Sequence, residues 1–432
     1  MTRTATLANH DINGSVWLAW ISVLVASLFF AYELIQMHMF SAINYDLMRE
    51  FSLNARELGF LSSVYLWANV IFLFPAGWIL DRVSTKRVIL IAMSICVIGT
   101  FLFAMFSSYS TILVSRFFTG IGSAFCLLSC VRLASRWFPN SKLALVTGII
   151  VTIAMLGGVF AQAPLTKLTE WLGWRKAVYV DGFIGVGIIL LIALFIKNNP
   201  LQMDKVYENQ IGELKKLGFW LSAKHAYFRK QNWLAAIYTS TMNLPIVLLG
   251  AIYGTLYLTQ CYELSKTQAS FINTMLFVGT IVGGPMVGWL SDRIQLRKLP
   301  MLISAVLSVV IILLLIKCDA LNVSTLYVLF FLLGFFSSAQ IIGYPVVSES
   351  NSPIVTASSV SVVSVVTQGG GVFYQPYFGY LLQKNWNGLY AGGIQVFSVS
   401  NYNEALFMIL CGFVVAFVAA LFLRETYCKQ VT

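Results

Sequence analysis

The sequence predicts an all-α integral membrane protein with twelve transmembrane helices in two pseudo-symmetric six-helix bundles. Three observations predict it. First, the chain is 58% hydrophobic and only 10% charged, with a mean hydropathy of +0.80. A soluble chain of 432 residues needs far more charge to cover its surface. Second, apolar runs of about twenty residues recur, each long enough for a ~30 Å hydrocarbon core. Third, one charged motif is written twice. Gly77-Trp78-Ile79-Leu80-Asp81-Arg82 is followed by Lys86-Arg87, and Gly288-Trp289-Leu290-Ser291-Asp292-Arg293 by Arg297-Lys298. Both the glycines and the aspartates stand 211 positions apart, and each copy lies between the second and third apolar runs of its half. Such an internal repeat is the mark of a duplicated membrane bundle.

In chain order, the hydropathy window places spans at 16–39, 57–79, 87–107, 110–135, 142–164 and 175–197 in the first half. In the second half it places them at 232–259, 268–291, 299–317, 323–347, 354–383 and 404–425. The bundles are 1–198 and 231–432, joined by a polar linker at 199–230. Asn198-Asn199-Pro200 stops the sixth helix. In the linker, Leu214, Leu217 and Leu221 repeat at helical spacing among Lys215, Lys216 and Lys224, as an interfacial helix or a solvated linker would. The loop 383–403 is rich in Asn, Gly and Tyr and suggests no chemistry. Met1–Ser15 has no small-residue cleavage pattern, so the first span is expected to stay in the membrane.

The net charge of +11 is a topology signal. Eighteen of the 28 basic residues fall on the side of both termini, eight on the other and two within spans. This bias puts both termini in the cytoplasm and leaves no basic patch for nucleic acid. Cys126 and Cys130 share a helix face, but no histidine lies near them in sequence, so no metal or other cofactor is expected.

Six-span halves and the doubled hairpin resemble the major facilitator superfamily, whose hairpin reads Gly-x-x-x-Asp-Arg-x-Gly-Arg-Lys; Ser84 stands here in place of the family glycine. Arg116-Phe117-Phe118-Thr119-Gly120-Ile121-Gly122 is similar to the family's Arg-x-x-x-Gly-x-Gly element, and Gly173-Trp174-Arg175 to its sixth-span opening. Tyr65-x-Trp67-x-Asn69-Val70 resembles the branch of lysosomal dipeptide carriers. Ala124 and Leu156 replace that branch's acid and arginine. Gly157-Gly158 and Ala163-Pro164 do not form the exporters' Gly-Pro-x-x-Gly-Gly. The resemblance implies a carrier that works by alternating access. It implies that spans 1, 4, 7 and 10 line the path, and that Asp81 and Asp292 each cap a helix of the opposite bundle as a conformational latch. Gly77, Arg82, Gly288 and Arg293 belong to that latch, and glycine lets helices approach closely.

A charge at bilayer depth needs a reason. Glu33 and Arg116 lie at matching depths and are expected to pair, either as a proton-coupling switch or as a permanent ion pair. The second half carries Phe330 opposite Arg116. Arg132 suits a substrate carboxylate, although snorkelling beside Arg136 and Trp137 is the favoured reading. Asp181 reads as a salt bridge to Arg175 or Lys176, and His38 as an interfacial histidine. Candidate substrate contacts are Tyr65, Asn69, Arg132, Asn243, Tyr253, Gln340, Tyr344 and Gln368. Gln36, Gln162, Asn273 and Gln375 are further polar candidates, each competing with a helix–helix hydrogen bond. Pro245 with Gly250, and Pro345 with Gly343, read as bends.

The function expected is secondary active transport of a small polar organic solute (an amino acid, organic acid or short peptide), coupled to protons in symport. A drug exporter or an uncoupled facilitator is the alternative. The protein is expected to be a monomer of the inner membrane. Its partners are the solute, protons and the lipid bilayer, and nucleic acid is not among them. An enzyme would need clustered His, Asp or Glu. The three histidines, His10, His38 and His225, are scattered.

Overall fold

The structure, a computed structural model, describes residues 2–138, 140–197, 229–317, 321–351 and 356–429. The predicted linker, with Leu214, Leu217 and Leu221, lies almost wholly outside them. The described chain is helical almost throughout, because lipid offers no partner for a backbone N–H or C=O and the spanning segments must satisfy their own.

The first half contains α1 (Thr2–His38), α2 (Phe40–Glu50), α3 (Ala55–Arg82), α4 (Thr85–Met105), α5 (Tyr109–Ser123), α6 (Cys126–Trp137), α7 (Asn140–Phe160), α8 (Ala163–Leu172) and α9 (Trp174–Phe195). The second half opens with α10 (Lys230–Met242), a π-helical segment (Ile246–Tyr253) and α11 (Gly254–Tyr262). Then come α12 (Lys266–Ile294), α13 (Lys298–Lys317), α14 (Val323–Ser337), a 3₁₀ turn (Ser338–Ile342), α15 (Gly343–Ser350), α16 (Thr356–Lys384) and α17 (Val399–Phe422). Ten stretches among the described residues are long and apolar enough to cross a membrane. The 28-residue α3 and 29-residue α16 cover the other two predicted spans, so every predicted span falls on a helix.

The first span runs further than predicted. It continues through α2 to Glu50 as one 35-residue stretch. Asn44, Tyr45 and Asp46 lower the hydropathy there, but Phe40–Asn44, Leu47 and Met48 are buried against protein. Gln383–Asn403 carries a small hairpin, β1 (Tyr390–Ala391) and β2 (Ile394–Gln395). Gly392 and Gly393, both at positive φ, make the two-residue turn that favours glycine.

The helices fall into two compact units that do not follow the sequence halves. Unit one holds residues 2–36, 68–158 and 175–197. Unit two holds 37–67, 159–174 and the described residues from 229 onward. In unit one, α4 and α5 pack closely through glycine. A methyl at Gly122 would lie 2.5 Å from the carbonyl oxygen of Ala92, so this glycine of the Arg116–Gly122 element sets the approach of the two backbones. Gly122→Val should therefore destabilise the protein by roughly 3 kcal/mol or prevent its accumulation. Yield of monodisperse protein and melting temperature check this; wild-type values for both would contradict the packing.

Candidate functional site

Unit one holds the buried Glu33, Arg116 and Asp181. Glu33 on α1 and Arg116 on α5 are both buried. Arg116 Nη1 donates to the carbonyl oxygen of Gln36 at 3.0 Å. Gln36 is three residues beyond Glu33, on the same helix face, so the two predicted partners share one buried locality. Gln36 Nε2 donates to Asp181 Oδ2, and Tyr32 donates to Thr100 at 3.0 Å nearby. The predicted Arg175 partner for Asp181 gives way to Gln36. Arg175 instead donates to the carbonyls of Ala104 (2.7 Å) and Phe106 (3.1 Å), where the α4 C-terminus offers orphan acceptors. Burial draws the carboxylate to an amide within the helix bundle, whereas arginine reaches for the helix end. Asn69 donates to Ser123 Oγ at 2.7 Å. Arg132 sits half-buried on α6. The Cys130 thiol points at the Ala26 carbonyl (3.3 Å) and that of Cys126 at the Gly122 carbonyl on α5 (3.8 Å).

Unit two is organised around the break in the seventh span. The bend read from Pro245 and Gly250 is a π-helical segment, and four amides from other elements hold its carbonyls. Gln375 donates to Val247 (3.3 Å), Asn273 to Leu249 (3.1 Å), Gln162 to Gly250 (2.8 Å) and Asn44 to Ile252 (2.8 Å). A π segment spoils the regular carbonyl ladder, and these side chains supply what lipid cannot. Asn273 also donates to Gln162 Oε1 (2.8 Å) and Ser41 Oγ (3.0 Å). Ser41 meets Thr255 (2.6 Å), Thr166 meets Ser270 (2.7 Å), and Lys266 bridges Asp46 (2.9 Å). Tyr45 bonds Thr259. Unit two is thus a seam in which residues of the first sequence half interlock with those of the second. Asn44 was missed in the sequence because it falls in what reads as a loop. His38, expected at the interface, is buried edge-on to Phe277 at 4.9 Å, because α2 continues the helix past it.

The seam sorts the predicted substrate contacts. Tyr253 is committed: it is buried and its phenol donates to the carbonyls of Ala55 (2.9 Å) and Gln375 (3.0 Å). Tyr65 is fully buried. Gln162, Asn273 and Gln375 are spent on the π segment. By contrast, Asn243, Gln340 and Gln368 are half-buried, and their side-chain amides carry no recorded hydrogen bond to another described residue. They sit on elements stitched together nearby, with Thr239 donating to the Gln340 carbonyl (3.1 Å) and Ser240 to that of Val366 (3.2 Å). Tyr344 is also half-buried.

At the second copy of the doubled hairpin, Arg297 is the hub. It bonds Asp292 at 2.6 Å and Glu349 at 2.6 Å. Glu425 accepts the backbone N–H groups of Arg297 and Lys298, both at 2.8 Å. Burial lowers the Arg297 pKa, but the carboxylates of Glu349 and Asp292 outweigh it and hold it above the ordinary arginine value. Asp292, read as a cap for the opposite bundle, here faces its own hairpin. Arg293 lies over the Trp289 ring, 5.1 Å from its centroid. No described atom lies within 4 Å of a methyl added at Gly77 or Gly288, so neither glycine marks a tight approach here. The side chains of Asp81 and Arg82 lie outside the described residues. Glu349 and Glu425 were missed because they stand far from the hairpin in sequence.

The family model of the Major Facilitator Superfamily matches residues 19–260 and 234–429. The chain belongs to this superfamily. A probable galactarate/D-glucarate transporter of Escherichia coli (strain K12) is 23% identical over 420 residues, covering 87% of this chain and 88% of the relative. The D-galactonate transporter of Escherichia coli O6:H1 is 26% identical over 269 residues, covering 57% and 60%. Among solved structures, a D-xylose-proton symporter aligns with a TM-score of 0.74 at 15% identity, over 95% of this chain and 99% of that one. This superfamily member is therefore a multi-pass membrane transporter and not an enzyme.

The Arg297 hub yields a prediction. Arg297→Gln strands the largely buried Glu349 and should cost about 3 kcal/mol, with Glu349→Gln costing a similar amount. The double variant should lose at least about 1 kcal/mol less than the two single losses combined. Melting curves of the four proteins decide it; strict additivity would mean that the pair does not couple.

Proposed function

We propose that this superfamily member is a proton-coupled symporter of small hydroxylated organic-acid anions, working by alternating access in the inner membrane with both termini cytoplasmic. The single observation that carries the coupling is the burial of both Glu33 and Arg116, with Arg116 donating to the carbonyl of Gln36, three residues beyond Glu33 on α1. An intramembrane acid beside an intramembrane cation can trade a proton for its partner. Proton uptake by Glu33 would free Arg116 to turn to another acceptor. The substrate class rests on the relatives, named for galactarate, glucarate and galactonate, and on side chains suited to such solutes. Uncommitted amides at Asn243, Gln340 and Gln368, with the Tyr344 phenol, suit a run of hydroxyls. Arg132 offers the planar fork that pairs with a carboxylate.

Alternating access requires the unit-two seam to part and re-form. Interhelical hydrogen bonds in membranes average about 0.6 kcal/mol each, so some ten of them amount to roughly 6 kcal/mol. A gap of that size is within the reach of a ligand that binds the two states unequally. On this reading the seam is a reversible closure.

Glu33→Gln should abolish pH-gradient-driven accumulation of labelled D-glucarate or D-galactonate in proteoliposomes while sparing counterflow. Accumulation at the wild-type level would refute the coupling role. Counterflow of neither sugar acid by the wild-type protein would refute the substrate class.

A further inference from the structure

We propose that a groove between α3 and α16 in unit two binds one anionic diacyl phospholipid. The groove encloses about 460 Å³ and is lined by Arg56, Phe60, Trp67, Phe373, Tyr377 and Tyr380, among others. Its floor is a close helix crossing. A methyl at Gly59 would lie 2.5 Å from the Gln375 carbonyl oxygen, and one at Gly379 would collide with that of Ala55. The two glycines draw the backbones together and remove the side chains that would fill the gap. The walls are aromatic: Trp67 packs edge-on to Phe373 at 5.9 Å, and Tyr377 stacks with Tyr380 at 6.1 Å. Leu58, Leu61 and Tyr65, on the opposite face of this part of α3, are buried inside unit two. The open aromatic face is therefore the one left for the bilayer.

The groove is graded as a phospholipid is. Arg56 stands exposed in the first turn of α3, at the end where α2 closes. No described residue supplies its counter-ion. The adjacent Glu57 is spent on the Asn54 N–H at 2.9 Å, as a helix cap. Next along the antiparallel α16 come the phenols of Tyr380 and Tyr377, side chains that favour headgroup depth. Phe373 and Trp67 follow. From Arg56 to Trp67 is about 16 Å of helix rise, close to one leaflet of a ~30 Å core. A cation at headgroup depth above an apolar channel one leaflet long matches a phosphate with an acyl chain beneath it, and basic pockets between spanning helices hold anionic headgroups. In the proposed topology this is a lipid of the outer leaflet. It would lie across α3 and α16, which belong to opposite sequence halves, and so could bias the seam.

Native mass spectrometry of the purified full chain in a neutral detergent tests this, with phosphatidylglycerol, phosphatidylcholine and glycerol 1-phosphate as probes. The wild type should retain one phosphatidylglycerol in preference to phosphatidylcholine. Arg56→Gln should lower that retention about fivefold, the weight of one basic residue near an anionic headgroup. Arg56→Lys should keep the preference, and Phe373→Ala should weaken both lipids. Glycerol 1-phosphate should not displace the lipid. Equal retention of the two lipids by the wild type, wild-type retention by Arg56→Gln, or displacement by glycerol 1-phosphate would each overturn the proposal.

Discussion

The arrangement of unit two depends on one constraint: a broken helix in hydrocarbon must find partners for its carbonyls. Between Asn243 and Gly254 the seventh span departs from α-helical geometry. Val247, Leu249, Gly250 and Ile252 each receive an amide from another element. Two of those amides, Asn44 and Gln162, come from the first sequence half. The break therefore fixes where the first half must present polar side chains, which is why a stretch as polar as Asn44-Tyr45-Asp46 is helical, with Asn44 buried.

The same constraint separates two kinds of polar residue that look alike in a hydropathy plot. Amides aimed at the π segment are structural cement, and their loss would leave a buried carbonyl without a partner. Asn243, Gln340 and Gln368 have no such duty and remain half-buried. In unit one the distinction is among charges. Asp181 is tied to Gln36, and Gln36 in turn presents its carbonyl to Arg116, so one glutamine orders both ionisable groups.

Much of this was legible in the sequence, for physical reasons. Apolar length reports a span directly, and the doubled hairpin and the Arg116–Gly122 element announced the family. Pro245 and Gly250 marked the bend. The burial of Glu33 and Arg116 followed from their places inside apolar runs. The failures have a common cause. The loop assigned to 40–56, the Arg175 partner for Asp181 and the interfacial His38 were all inferred from neighbours in sequence. Each true partner lies far along the chain: Ile252 for Asn44, Gln36 for Asp181 and Phe277 for His38. The turn at Gly392-Gly393 did carry a local hairpin signal. The commitment of Tyr253 to the carbonyls of Ala55 and Gln375 had no local signal.

The central claim is that the seam between first-half and second-half residues in unit two opens during every transport cycle. Ser41 and Thr255, two short side chains whose Cβ atoms lie near disulfide reach, hydrogen-bond directly across it at 2.6 Å. The most direct measurement places cysteines at these two positions in a cysteine-free background and follows labelled sugar-acid uptake before and after oxidation. Oxidation should arrest uptake, and a reductant should restore it. Full-rate uptake by fully crosslinked protein would contradict the claim.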